Sequence, residues 1–308
     1  MKTILLALLL SQDKKKPDVF TDPEKAGADY KIQGEYAGDK MGAQVVALGG
    51  GAFDVVILEG GLPGAGWNLK GRSKAKAKTE GDKTLITGDW SGEIAGGKLA
   101  AKSATGQVEL KRILRESPTM GAKPPEGAVV LFDGKSADEW KNGRIVEENL
   151  LFCGVDSKKK FRDVKLHIEF RPSFMPAARG QGRSNSGVYL GGRHEVQVLD
   201  SFGLEGKNNE CGGIYSIAAP KVNMCLPPLQ WQTYDIEYRA PRFDDAGKKT
   251  ANAKITVRHN GVLIHEEQDI PNGTTAAPVK ESNEPGPIHL QHHGDPVMYR
   301  NIWLVELK

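Results

Sequence analysis

Two short stretches of this 308-residue chain hold polar residues at spacings that can do chemistry. In Glu195-Val196-Gln197-Val198-Leu199-Asp200 a carboxylate and an amide alternate with valines. In Ile288-His289-Leu290-Gln291-His292-His293 imidazoles and an amide alternate with apolar residues. Successive side chains of a strand point to opposite faces, so Val196 and Val198 share one face and Glu195 and Gln197 the other. By the same rule Ile288 and Leu290 oppose His289, Gln291 and His293. If both apolar pairs enter one core, the polar residues line a single outer face. A carboxylate near a histidine there is suited to proton transfer. His289 and His293, four apart on a strand, lie roughly 13 Å from each other, too far to share an ion, so no metal or other cofactor is expected. A plain solvated strand face is the alternative reading of Glu195 and Gln197.

Asp200 falls on the core side by strict alternation, and an unpaired buried carboxylate is costly. Either a bulge at Val198 and Leu199 or the end of the strand relieves it. The spacing E-x-Q-x-x-D is similar to the E-x-D-x-x-E signature of laminarinase-type and lichenase-type glucanases. Here Gln197 replaces the middle carboxylate and Asp200 is one methylene short. A glycosidase mechanism with two carboxylates at a set separation is therefore not expected.

The elements that must position these residues are strands. With 37 glycines and 17 prolines the chain turns often, and short apolar runs alternate with turn chemistry throughout. From about residue 21 to 115, runs such as Phe53-Asp54-Val55-Val56-Ile57-Leu58 between glycine clusters predict a small antiparallel sheet. Lys74-Ala75-Lys76-Ala77-Lys78 reads as a solvated edge face. Gly92 to Lys98 has phosphate-loop spacing, but Leu99 follows where Ser or Thr should hold magnesium and no helix is predicted, so that motif is rejected. Gly60 to Trp67 reads as a loop with a packed tryptophan. Residues 116–127, rich in proline and glycine, read as a linker. From 128 to 308 about eleven strands are predicted without a convincing helix, including one over Gly212–Ala219, and two packed sheets are expected. Asn260-Gly261 predicts a hairpin turn.

Composition narrows the partners. The 42 basic and 39 acidic side chains leave a charge of +3, and the lysine clusters lack interleaved aromatics, so nucleic acid is not expected. Residues 1–16 have the layout of a short signal peptide, too short to span a bilayer. A periplasmic or secreted location without a stable membrane span follows as an expectation. Cys153, Cys211 and Cys225 lack zinc-knuckle spacing. Cys211 and Cys225 either pair in an oxidising compartment or are buried thiols.

The second region as a whole resembles the 3-keto-disaccharide hydrolase domain. The resemblance rests on Leu131-Phe132-Asp133-Gly134-Lys135, Asn185-Ser186-Gly187-Val188-Tyr189-Leu190 and Glu195 to Asp200. It continues through Trp231 to Ile236, Asn260-Gly261-Val262, Leu290-Gln291-His292-His293-Gly294 and Tyr299-Arg300-Asn301-Ile302. It implies an all-β fold: a concanavalin-like jelly-roll β-sandwich preceded by a small antiparallel β domain. It also implies a carbohydrate substrate. A ketone at carbon 3 of a sugar acidifies the hydrogen on carbon 2, so one base, one acid and donors to a developing enediolate suffice. Glu195 or His293 is the expected base. Gln197, Gln291 and Arg300 are the expected donors, although alternation puts Arg300 with Met298, Ile302 and Leu304. Asn185 and Asp200 are expected substrate contacts. The competing expectation is a non-catalytic carbohydrate-binding module that uses an exposed aromatic such as Tyr189.

Overall fold

The computed structural model describes residues 18–147 and 149–308; the leader expected at residues 1–16 lies outside them. After a six-residue helix, Gly27–Ile32, eight antiparallel strands close into a barrel. They are β1 (Gly34–Gly38), β2 (Met41–Gly49), β3 (Ala52–Glu59), β4 (Arg72–Glu80), β5 (Lys83–Thr87), β6 (Ser91–Ala95), β7 (Lys98–Ser103) and β8 (Gly106–Ile113). Inward residues such as Tyr36, Val45, Phe53, Val55, Ala75, Ala77, Leu99 and Leu110 fill its interior. The small Ala77 and Ala75 pair directly with Phe53 and Val55 on the neighbouring strand, small beside large, as the interior of a narrow barrel requires. β4 pairs with both β3 and β5. Its lysines are therefore solvated as expected, but closure leaves no edge there. Gly96 and Gly97, both at positive φ, form the β6–β7 hairpin turn in place of a phosphate loop. Trp67 donates from its indole Nε1 to the Gly71 carbonyl (3.0 Å), in the loop where a packed tryptophan is expected.

The rest of the chain is a β-sandwich. One sheet has five strands in the order Trp140–Lys141, Val155–Ser157, His289–Leu290, Ser186–Leu190 and His194–Val198. The other runs Ile145–Val146, Leu150–Phe152, Val297–Glu306, Val164–Pro172, Gln232–Arg239, Ala253–His259 and Val262–Ile270, with Val129–Phe132 also paired to Val297–Glu306. Val188, Val196, Val198 and Leu290 from the first sheet meet Ile168, Phe170, Tyr234 and Ile302 from the second in one buried core. The Asn260-Gly261 turn has positive φ at both residues, the geometry that two-residue hairpins prefer. Gly212–Ala219 is not a strand: Ile214 makes isolated bridges to Val196 and Ala218, and the segment folds as a loop over the five-stranded sheet. All three cysteines are buried free thiols.

Residues 116–127 lie against the larger sheet. The Gly121 N–H donates to the Glu169 carboxylate at 2.6 Å, and Asn301 and Trp303 donate to the Ala122 carbonyl at 3.1 and 3.0 Å. Composition predicted freedom for this segment, but buried acceptors and donors on the sheet hold it in place. Among the described residues no helix is long and apolar enough to cross a membrane.

Candidate active site

Three neighbouring strands of the smaller sheet bring the polar residues together. Pairing sets Tyr189 opposite Glu195 on one side and His289 on the other. One rung along, Gly187 sits opposite Gln197, and its carbonyl accepts the Gln291 N–H at 2.9 Å. Directly opposed residues in such a sheet lie about 5 Å apart on a common face. The apolar alternates all enter the core, so the expected single polar face exists.

That face is not solvated. Glu195 and Gln197 are only 2% and 1% exposed, and Tyr189 is fully buried. Loops cover them: the Tyr215 N–H donates to the Glu195 carbonyl (3.2 Å), and the Thr274 hydroxyl accepts the Glu195 N–H (3.0 Å). What remains open is a cavity of about 180 Å³ lined by Gln181, Asn185, Tyr189, Glu195, Gln197, Tyr215, Thr275, Ala276, Gln291 and His293. Tyr189 is thus not an exposed aromatic platform. Its hydroxyl donates to Glu195 Oε2 at 2.8 Å and accepts from Gln291 Nε2 at 3.1 Å.

Gly187 decides where the Glu195 carboxylate goes. A Cβ at Gly187 would stand 2.1 Å from Glu195 Oε1, so the carboxylate occupies the space that any other residue's side chain would take. Burial raises the Glu195 carboxyl to about 7, with the Tyr189 hydrogen bond opposing part of that rise. A carboxylate with this value can take or give a proton near neutrality.

A chain of amides lines the cavity beside Glu195. Gln197 Nε2 and Asn185 Nδ2 both donate to Gln181 Oε1, at 3.0 and 3.1 Å. Asn185 Oδ1 is buried with no partner, an acceptor that a substrate hydroxyl would satisfy. The Asn185 N–H donates to Asp295 (3.0 Å), which ties this wall to the loop carrying His293. Burial raises the Asp295 carboxyl, against the pull of the Asn185 N–H, His293 and His292. His293 is exposed at the cavity rim, whereas His289 is held beside the cavity by Asp156 (2.9 Å).

Two expected site residues lie elsewhere. The strand ends at Val198, and Asp200 instead accepts from Arg183 Nε at 2.6 Å. Arg183 also donates to the barrel carbonyl of Ala47, so Asp200 joins the sandwich to the barrel and does not reach the cavity. Arg300 belongs to the larger sheet. Asn301, at φ 44°, forms a bulge that reverses alternation, so Tyr299 and Ile302 both enter the core and Arg300 turns outward. Its Nε donates to Glu169 (2.7 Å) and its guanidinium stacks 4.0 Å from the Trp231 ring centroid.

Burial would raise the Glu169 carboxyl, but donors from His167, Asn301, Arg300 and Gly121 outweigh it and hold it at about 2. Its folded value is below its unfolded one. The stability it contributes is therefore present above about pH 4.5 and lost as pH falls toward 2, on the order of 3 kcal/mol. Glu169→Gln is expected to lower the melting temperature at pH 7 and to flatten its decline between pH 5 and 3; an unchanged acid limb contradicts this.

Gln181, Tyr215, Thr275 and Ala276 come from irregular segments with no periodicity to mark them. Gly187 carries a signal that parity arguments can use, since it shares a face with Tyr189. Among the described residues no group of three or more His, Cys, Asp or Glu is placed to hold a metal ion.

Residues 127–305 match the model of the 3-keto-alpha-glucoside-1,2-lyase-like domain. No curated protein matches the chain. A solved structure from Parabacteroides distasonis, provisionally assigned as a glycosyl hydrolase, is 33% identical with a TM-score of 0.55, covering 59% of this chain and 85% of that one. A second from the same organism, with the same provisional assignment, is 18% identical with a TM-score of 0.43, covering 64% and 99%.

Proposed function

The chain belongs to the 3-keto-alpha-glucoside-1,2-lyase-like domain family through residues 127–305, and from that premise we propose that it cleaves 3-keto-glycosides by elimination. Glu195 takes the proton from carbon 2, and the electron pair moves toward the ketone at carbon 3 to give an enediolate. Collapse of the enediolate expels the glycosidic oxygen from carbon 1, protonated by His293 at the cavity rim. The product is an enone to which water adds, completing a net hydrolysis. Gln197, Gln291 and Asn185 supply hydrogen bonds to the ring, and Tyr189 holds the base. Arg300 has no part in this step and Asp200 none beyond anchoring.

The observation that carries this reading is the convergence of Glu195 and His293 on one small cavity that is also lined by the amides of Gln197, Gln291 and Asn185. An elimination needs one base and one acid, which is what the cavity holds, whereas a second carboxylate at glycosidase distance is missing from its lining. A lectin-like module gains nothing from a buried carboxyl near neutrality. Export of the protein to the periplasm or beyond is part of the same proposal.

The deciding assay incubates purified protein with a 3-keto-disaccharide and with the same sugar unoxidised. Turnover of the keto-sugar alone is expected, with exchange of the carbon 2 hydrogen into deuterated water. Saturable binding without product supports the binding-module reading and ends this one. Because Glu195 must be ionised to act, kcat/KM is expected to rise through about pH 7. Tyr189→Phe removes a donor to the carboxylate, so the rising limb is expected to move to higher pH; a downward shift contradicts the assignment of Glu195 as base.

A further inference from the structure

We propose that the mouth of the barrel is a second sugar-binding site, distinct from the cavity in the sandwich and taking a neutral mono- or disaccharide. The loops after β1, β3, β5 and β7 all emerge at one end of the barrel and enclose a half-open cavity of about 530 Å³, larger than the one at Glu195. Barrel mouths are common ligand sites, and this volume is in the range that holds small ligands.

The lining fits a sugar. Ile57 and Trp90 form an apolar floor on top of the barrel core, and the Trp90 indole is fixed by its donation to the Ser73 hydroxyl at 2.8 Å. Around the rim stand Glu59, Asp89, Ser103 and Thr105. Among the described residues neither the Glu59 nor the Asp89 carboxylate has a hydrogen-bonding or ionic side-chain partner. Carboxylates accept from vicinal hydroxyls, serine and threonine both donate and accept, and an aromatic floor covers the apolar face of a pyranose. The Glu59 carboxylate is held against Gly71, where a Cβ would stand 2.2 Å from Oε2, so a glycine makes room for it as Gly187 does for Glu195. Arg72 also lines the cavity and balances part of the negative charge. Its terminal nitrogen donates to the Gly203 carbonyl of the sandwich at 2.6 Å, which fixes the guanidinium at the rim.

The choice of a sugar over other polyhydroxylated ligands rests on the reading of the sandwich as a keto-glycosidase. The test separates the two. Full-length protein carrying Glu195→Gln is titrated calorimetrically with unoxidised cellobiose, maltose, laminaribiose, trehalose and sucrose, and with glucosamine as a cationic control. Saturable binding of at least one neutral disaccharide is expected. Asp89→Ala and Thr105→Ala, both exposed loop residues, are each expected to weaken it by about tenfold or more while leaving turnover at the sandwich unchanged in an otherwise native chain. Binding is also expected to change the tryptophan fluorescence, and Trp90→Phe to abolish that change. Binding by none of the neutral sugars overturns the proposal, as does binding of glucosamine alone. So does binding that survives Asp89→Ala but is lost in Gly187→Ala, which assigns it to the sandwich. Barrel binding without turnover of any keto-sugar would sink the sandwich reading and leave the second site standing.

Discussion

Glu195→Gln is expected to lower kcat/KM on a 3-keto-disaccharide by about 10²–10⁴-fold, the usual contribution of a positioned general base. The amide keeps the shape of the carboxylate and can still meet the Tyr189 hydroxyl, so the loss should fall on kcat more than on substrate affinity. The same variant carries a second signature. The folded value of the Glu195 carboxyl is raised above its unfolded one. Its contribution to stability is therefore fully present below about pH 4.5 and lost as pH rises through about 7, a change on the order of 3 kcal/mol. An uncharged amide has no such loss. The melting temperature of Glu195→Gln relative to the parent should accordingly climb between pH 5 and pH 8. A variant that is inactive and also less stable at pH 8 than at pH 5, relative to the parent, indicates a structural role for Glu195 and removes it from the mechanism.

Gly187→Ala is expected to cost about 10²-fold in kcat, because a displacement near 1 Å of a catalytic group has that effect. The added methyl would stand 2.1 Å from Oε1 and 2.8 Å from Cδ of Glu195. Gly187 lies inside a strand with ordinary negative φ, so alanine suits the backbone there, and the strain falls on the neighbouring side chain. The fold should persist, and a crystal structure or the pH profile should show the carboxylate moved off the Tyr189 hydroxyl. Full activity in Gly187→Ala would mean that the position of Glu195 over Gly187 is not the catalytic one. The pair of variants separates charge from place: the first removes the base without moving it, and the second moves it without removing it.

Both variants depend on features with different visibility in the sequence. Alternation in Glu195 to Val198 and in Ile288 to His293 correctly placed the polar residues on one face, and it also separated the core valines from them. Asn260-Gly261 marked its hairpin, and the order of the matching stretches from Leu131 to Ile302 identified the sandwich. These are local rules, and backbone geometry enforces them within a few residues.

The failures were long-range. Arg300 was expected as a donor through the resemblance while parity grouped it with Met298, Ile302 and Leu304. The parity count crosses Asn301, where a single residue in the left-handed region inverts the alternation, and Arg300 lies on the other sheet, away from the cavity. Asp200 met Arg183, seventeen positions away, because a buried carboxylate takes the nearest available donor. Residues 116–127 looked unattached because their anchors, Glu169, Asn301 and Trp303, are on strands that only the folded sheet brings beside them.

The sequence by itself determined which side chains could share a face and that Gln197 stands where a two-carboxylate glucanase carries its middle acid. Only the tertiary structure decided that loops from three separate segments bury that face, that Gly187 leaves a hole for the Glu195 carboxylate, and that the first half closes into a barrel with a cavity at its mouth. The reason is physical: strand periodicity is set by neighbours along the chain, whereas burial and the proton affinity of a carboxyl are set by what the rest of the chain brings over it.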